Sequence, residues 1–262
     1  MEDKKYKTTY KDLIDLASLN VEKQLEKRLE ELFYCTEEIL QNVQDEPNFV
    51  LKQNGEFDAI NPIDYYGSLL NGLRLAAAHI NNPGVNFALG KCCYILANSG
   101  EVEVDEEELL YKEAIDNLEA SISNPNHKMT GQDLFFLGAS LGGLASLLED
   151  PSEIFENYKE GLTILNEYLN AKKTDKTYKD IFVLAKTQLG MAEFLETSII
   201  AYIAPISNFK LALNLKEDSD AYHLLGNAQL ILSNLLPEGK RGKLAKEGLK
   251  NIEKGSKIRH ME

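Results

Sequence analysis

Four histidines, three cysteines, a glycine-rich run and an acidic run are the features of this 262-residue chain with the composition to make a reactive site. Their spacing tests each in turn. His79, His127, His223 and His260 are scattered, and none lies three or four residues from another histidine or a cysteine, the spacing that puts two ligands on one helical face. No metal is predicted. His223 falls inside a helical pattern, where it reads as a partly buried structural side chain, with a groove contact as the alternative. Cys92 and Cys93 are adjacent, so on a helix they point about 100° apart and neither share an ion nor pair readily. With Cys35 they make an odd number without framework spacing, which predicts reduced, packed thiols. The glycines at 138, 142 and 143 are not followed by Gly-Lys-Ser/Thr and sit in a helical period, so they read as close-packing positions rather than a phosphate loop. Glu101 to Glu108 is dense in carboxylates, which suits solvation and a helix N-terminus better than a catalytic pair. With no nucleophile elbow, zinc-protease pair or dinucleotide fingerprint, the chain is expected to be non-catalytic and free of cofactors. An enzyme subunit whose site is assembled from scattered residues is the alternative.

The elements that would position any site are helical. Hydrophobic residues make up 44% and charged residues 27%, enough for a sizeable core, and the strict alternation that marks strands is missing. The fold class is all-α. Val21–Val43 carries an apolar stripe from Leu25 to Val43, with Asn20 as N-cap. Residues 47–62 mix Asn, Gly, Asp and Pro, which predicts an irregular connection and a boundary between an N-terminal segment, 1–62, and the remainder, 63–262. Helices are predicted at Ile63–Ile80, Gly84–Asn98, Glu106–Ser123, Thr130–Glu149, Pro151–Asn170, Thr177–Ile203, Pro205–Lys216, Asp220–Leu236 and Arg241–Ile258. Asp150-Pro151-Ser152-Glu153 supplies a cap, a first-turn proline and a first-turn acid, and Pro205 is expected at another helix's first position.

Leu134 to Leu148 is too short and too interrupted for a membrane span, and Met1 to Lys11 has no apolar signal region, so an intracellular protein, cytoplasmic or nuclear, is expected. A net charge of −14 disfavours general affinity for nucleic acid or anionic membrane. The exception is 239–262, where eight basic residues against three acidic ones give a net of +5. Leu244, Ala245, Leu249 and Ile252 give that segment an apolar stripe, which predicts a closing helix.

Three helices align from Asp133, Asp180 and Asp220, and a fourth near Val85 resembles them. Each carries Leu followed by a small residue: Leu89-Gly90, Leu137-Gly138, Leu184-Ala185 and Leu225-Gly226. The small side chain admits a neighbouring helix. Following segments place Ala114, Leu118 and Ser121, and later Pro205, Phe209 and Ala212, where the second helix of a tetratricopeptide repeat faces the first. The chain from about 85 to 258 therefore resembles a tetratricopeptide-like α-solenoid of degenerate helix-turn-helix repeats, with spacings of 48, 47 and 41 rather than the usual 34. An irregular helical bundle is the plainer alternative. Cys35 to Gln41, Tyr65 to His79, Asp218 to Leu236 and the closing Lys-rich helix are also similar to the fungal translation-termination enhancer family, whose relatives include a nuclear adaptor for a 2-oxoglutarate oxygenase. The chain departs from that family in being shorter and in lacking a basic N-terminal arm.

These resemblances imply a protein–protein interaction scaffold or adaptor, linked to translation termination or to regulation of a partner enzyme. First helices line the concave face of such arrays, so Asn86, Lys186, Asn227 and Gln229 are candidates to grip a peptide there, the alternative being that each merely faces water. Lys246, Lys250 and Lys254 are the expected contacts for an acidic partner. The competing readings are that these lysines only solvate a cap drawn to the acidic body, or that the basic helix makes the chain an RNA- or ribosome-associated factor.

Overall fold

The computed structural model describes residues 50–51, 57–58, 62–79, 82–172, 175–196 and 198–260. The helix expected at Val21–Val43 and Cys35 lie outside the described residues. Within the 47–62 segment, expected to be irregular, a short antiparallel ladder forms, β1 (Val50–Leu51) on β2 (Phe57–Asp58), with Leu51 opposite Phe57. Every other regular element described is helical: α1 (Pro62–His79), α2 (Pro83–Ala97), α3 (Val104–Ser123), α4 (Gly131–Ala145), α5 (Pro151–Lys172), α6 (Tyr178–Phe194), a 3₁₀ turn (Ile199–Tyr202), α7 (Ile203–Leu215), α8 (Ser219–Leu235) and α9 (Glu238–Arg259). Among the described residues, no helix is long and apolar enough to cross a membrane.

The predicted helix Thr177–Ile203 is cut short. Glu196 adopts a left-handed backbone, φ 45°, which ends α6, and the 3₁₀ turn follows under a Ser198 cap. Helix α7 then starts at Ile203, two residues before Pro205. Proline is tolerated there because the first-turn N–H groups have no intrahelical acceptor. The Asp150 cap forms as expected, its Oδ1 accepting from the Ser152 and Glu153 amides at 2.8 and 3.0 Å.

A repeat is visible in the caps. The residues preceding α2, α4, α6 and α8 are Asn82, Thr130, Thr177 and Asp218, spaced by 48, 47 and 41 like the small-residue markers, and each marker lies eight positions after its cap. Thr130 and Thr177 each pair with an aspartate three residues on, Asp133 and Asp180, so that the carboxylate accepts the capping residue's own amide. Cross-links recur as well. Asn208 of α7 donates to Gln188 of α6 at 2.8 Å, and Asn251 of α9 donates to Gln229 of α8 at 2.7 Å. Each glutamine stands three residues after its helix's marker, Ala185 or Gly226.

Contacts divide the chain into two compact units, Met1–Ser140 and Leu141–Glu262. The division falls inside α4 rather than at the 47–62 connection, which belongs wholly to the first unit. Composition marked a loop, whereas the units are set by which helices share a core.

In the first unit α1 packs on α2 and α2 on α3. Helix α2 is buried along nearly its whole length, with Val85, Ala88, Leu89, Cys92, Cys93 and Leu96 all inside. Ala114, Leu118 and Ser121 face it, as predicted: a Cβ at Gly90 would fall 2.6 Å from Leu118 Cγ and 2.9 Å from the Ala114 carbonyl, and Ser121 Oγ donates to the Pro83 carbonyl at 2.8 Å. In the second unit each helix from α5 to α9 packs on its sequence neighbour. Ala185, Leu189, Tyr202, Phe209, Ala221, Leu225 and Ala228 form the core there. Gly142 of α4 also makes a tight contact, since a Cβ on it would lie 2.6 Å from Thr187 Oγ1 on α6.

The closing helix packs differently from its expected stripe. Gly248 and Gly255 are buried against α8, while Leu249 is 59% exposed. A Cβ at Gly226 would meet the Gly248 carbonyl oxygen at 2.6 Å, one at Gly248 would meet the Gly226 carbonyl oxygen at 2.8 Å, and one at Gly255 would meet the Ser219 carbonyl oxygen at 2.8 Å. Two backbones therefore touch directly, with Leu244 and Ile252 of the expected stripe packed beside them and only Leu249 left outside.

Candidate interaction surface

Any catalytic or ligand-binding arrangement must be built from polar groups that converge, and the two buried aspartates, Asp133 and Asp180, each serve a helix start. Asp180 is the best-coordinated. Its Oδ1 accepts from the Tyr168 hydroxyl at 2.7 Å, and its Oδ2 accepts from Lys172 Nζ and from the Thr177 amide, both at 2.7 Å. Burial raises its pKa, but Lys172 and the other donors outweigh that, so the carboxyl is held below its ordinary range. Asp133 accepts from Thr130 and bonds His127 Nε2 at 2.9 Å. Both clusters are closed around their own donors. Among the described residues, no group of three or more His, Cys, Asp or Glu is placed to hold a metal.

Lys91 is a polar core residue that periodicity does not single out. It is wholly buried, with Nζ 5.5 Å from the Phe136 ring and 5.9 Å from the Phe87 ring. The two aromatic faces attract the ammonium. The available signal was a lone charge four residues after Phe87 in the apolar run from Val85 to Leu96.

Cys92 and Cys93 are fully buried beside it, and burial pushes both thiols well above the ordinary range, so neither presents a thiolate near neutral pH. In a Cys35→Ser background, the native protein is expected to leave both unreacted with an aromatic disulfide reagent, and denaturation to release two thiols. Rapid titration of either in the native state contradicts this packing.

The predicted partner residues separate. Asn86 is half-buried on α2, and Lys186 on α6 and Asn227 on α8 are exposed. Gln229 is a correction: it is 1% exposed and its Oε1 is taken by Asn251, so it braces α8 against α9 and cannot line a groove. His223 is half-buried and packs against Gly255, with Nε2 3.4 Å from Ser256 Oγ, in keeping with a structural role.

Six of the eight basic residues of α9 form two sets. Lys254 bonds Glu217 and, at 2.6 Å, the Tyr222 hydroxyl; Lys257 bonds Glu253 at 2.6 Å; Arg259 bonds Asp220. These tie the end of α9 to acids on its own helix and at the start of α8. Lys254 therefore belongs to the body-facing set. Lys243, Lys246 and Lys250 are exposed at spacings of three and four on the face opposite Gly248 and Gly255, so their charges share one side of the helix.

The described residues thus define a predominantly helical protein with recurring helix caps. No family model and no curated protein matches it. A solved structure described as a circular tandem repeat protein with novel repeat topology and enhanced subunit contact surfaces is similar over 95% of this chain and 57% of its own, at 15% identity and a TM-score of 0.26.

Proposed function

We propose that this chain is a non-catalytic adaptor of tetratricopeptide-like helix pairs, and that its α9 lysine face takes an acidic segment of a protein partner. The observation carrying this reading is the partition of charge on α9. A helix whose lysines only balanced the acidic body would direct them there, as Lys254 and Arg259 are directed, yet Lys243, Lys246 and Lys250 stand on the far side. Exposed Lys186 and Asn227 on the first helices of the second unit are the proposed peptide contacts of a groove. A role in translation termination or in regulating a partner enzyme is the finer form of the proposal.

Reversing Lys243, Lys246 and Lys250 to Glu tests it, because the buried face of α9 is untouched. We expect recovery of a protein partner from cell extract to fall at least tenfold at low salt, with melting unchanged and recovery from wild type insensitive to ribonuclease. Equal recovery by the variant overturns the docking assignment, and ribonuclease-sensitive recovery favours the RNA-associated reading instead.

A further inference from the structure

A second surface, on a different face from the α9 lysines, is apolar. Ile200 of the 3₁₀ turn is 79% exposed, and Ile203, Leu211 and Leu215 of α7 are 57%, 46% and 53% exposed. On α7 the exposed positions Ala204, Ser207, Leu211 and Leu215 follow one another at spacings of three and four, so they line one side of the helix, and Ile200 precedes Ala204 by four. Leu195 and Ile199 extend the apolar surface at the N-terminal end. The opposite side of α7, with Pro205, Ile206, Phe209 and Ala212, is the one that fills the core. An exposed apolar strip of this kind marks an interaction site rather than an ordinary monomer surface.

Charge along the strip identifies the occupant. Its N-terminal end carries the exposed acids Glu193 and Glu196, and the only charged residue in α7 is the exposed Lys210, about 10 Å beyond Ile203 at 1.5 Å per residue. A strip that is acidic at one end and basic further along is complementary to itself when turned through a two-fold axis, the requirement of an isologous interface. We infer that this strip is a homodimer surface, in which the 196–210 stretch of one copy lies antiparallel on the same stretch of the other, with the two-fold axis near Ile203. The apolar side chains meet near the axis and Lys210 of each copy faces the acidic end of its partner. These pairs counter the repulsion between two chains that each carry −14.

Sedimentation equilibrium of the full chain over a hundredfold concentration range should show the mass rising to twice that of one chain. Ile200→Asp, at a site too exposed to disturb the core, should weaken association at least tenfold with unchanged melting. Lys210→Glu and Glu196→Lys should each weaken it several-fold, and the two together should restore it, because the exchanged charges again face one another. A single-chain mass throughout, a dimer indifferent to Ile200→Asp, or a double variant no tighter than the single ones overturns the inference.

Discussion

Gly226→Leu is expected to destabilise the second unit by about 3 kcal/mol, the upper end of ordinary overpacking costs. The first atom that a side chain meets there is the Gly248 carbonyl oxygen, and a backbone cannot move aside as a rotamer can. Gly226→Ala should show the same sign at about 1–2 kcal/mol, since the Cβ alone already collides. Gly242→Ala in the same α9 is the internal control, because nothing lies within 4 Å of its Cβ position. That variant should stabilise by about 0.5–1 kcal/mol through helix propensity. Urea unfolding of the three variants reads all of this. A Gly226 variant that unfolds like wild type would mean that α8 and α9 do not approach through these glycines.

Asp180→Ala should cost about 3 kcal/mol. It removes the acceptor of the Tyr168 hydroxyl, the Lys172 ammonium and the Thr177 amide in one step, leaving the capping box at the start of α6 with only its Thr177 half and a part-buried cation without its carboxylate. Lys172 retains some solvent access, which keeps the loss below the largest values known for buried pairs. The linked pH effect has a definite sign. The folded carboxyl titrates below its unfolded value of about 3.9, so its contribution is fully present above that pH and is lost as pH falls through the folded value. Stability measured from pH 6 down to about pH 2 should therefore fall less steeply in Asp180→Ala than in wild type over the acid limb. Parallel curves would remove Asp180 from the acid sensitivity of the fold.

Much of the architecture could be read in the residues because helix formation is local. Caps, prolines and a 3.6-residue apolar period act within a turn or two, so the boundaries at Pro151, Ser123 and Leu235 fall within a residue or so of expectation. The Leu-small markers also survive as an organising period, since the caps repeat with the same spacings. Glu196 marks where this kind of reading fails. The apolar period runs on through Ile199 and Ile200, and only the left-handed turn, set by how α6 and α7 fold onto one core, ends the helix.

The surface was less legible for a related reason. Gln229 and Asn227 lie two residues apart and look equally able to face a groove, and Lys250 and Lys254 look equally able to meet a partner. Their fates depend on what stands opposite, an amide of α9 for Gln229 and Glu217 with Tyr222 for Lys254. Leu249 departs from its expected role for the same cause, because the direct backbone contact between α8 and α9 turns Gly248 and Gly255 inward and leaves Leu249 outside. The sequence by itself determined a predominantly helical fold, the spacing of its helix caps and its excess of negative charge with a basic end, all properties of short segments or of composition. Which side of each helix is covered, and so which polar and apolar groups remain for a partner, was decided only by tertiary packing, since that depends on residues distant along the chain.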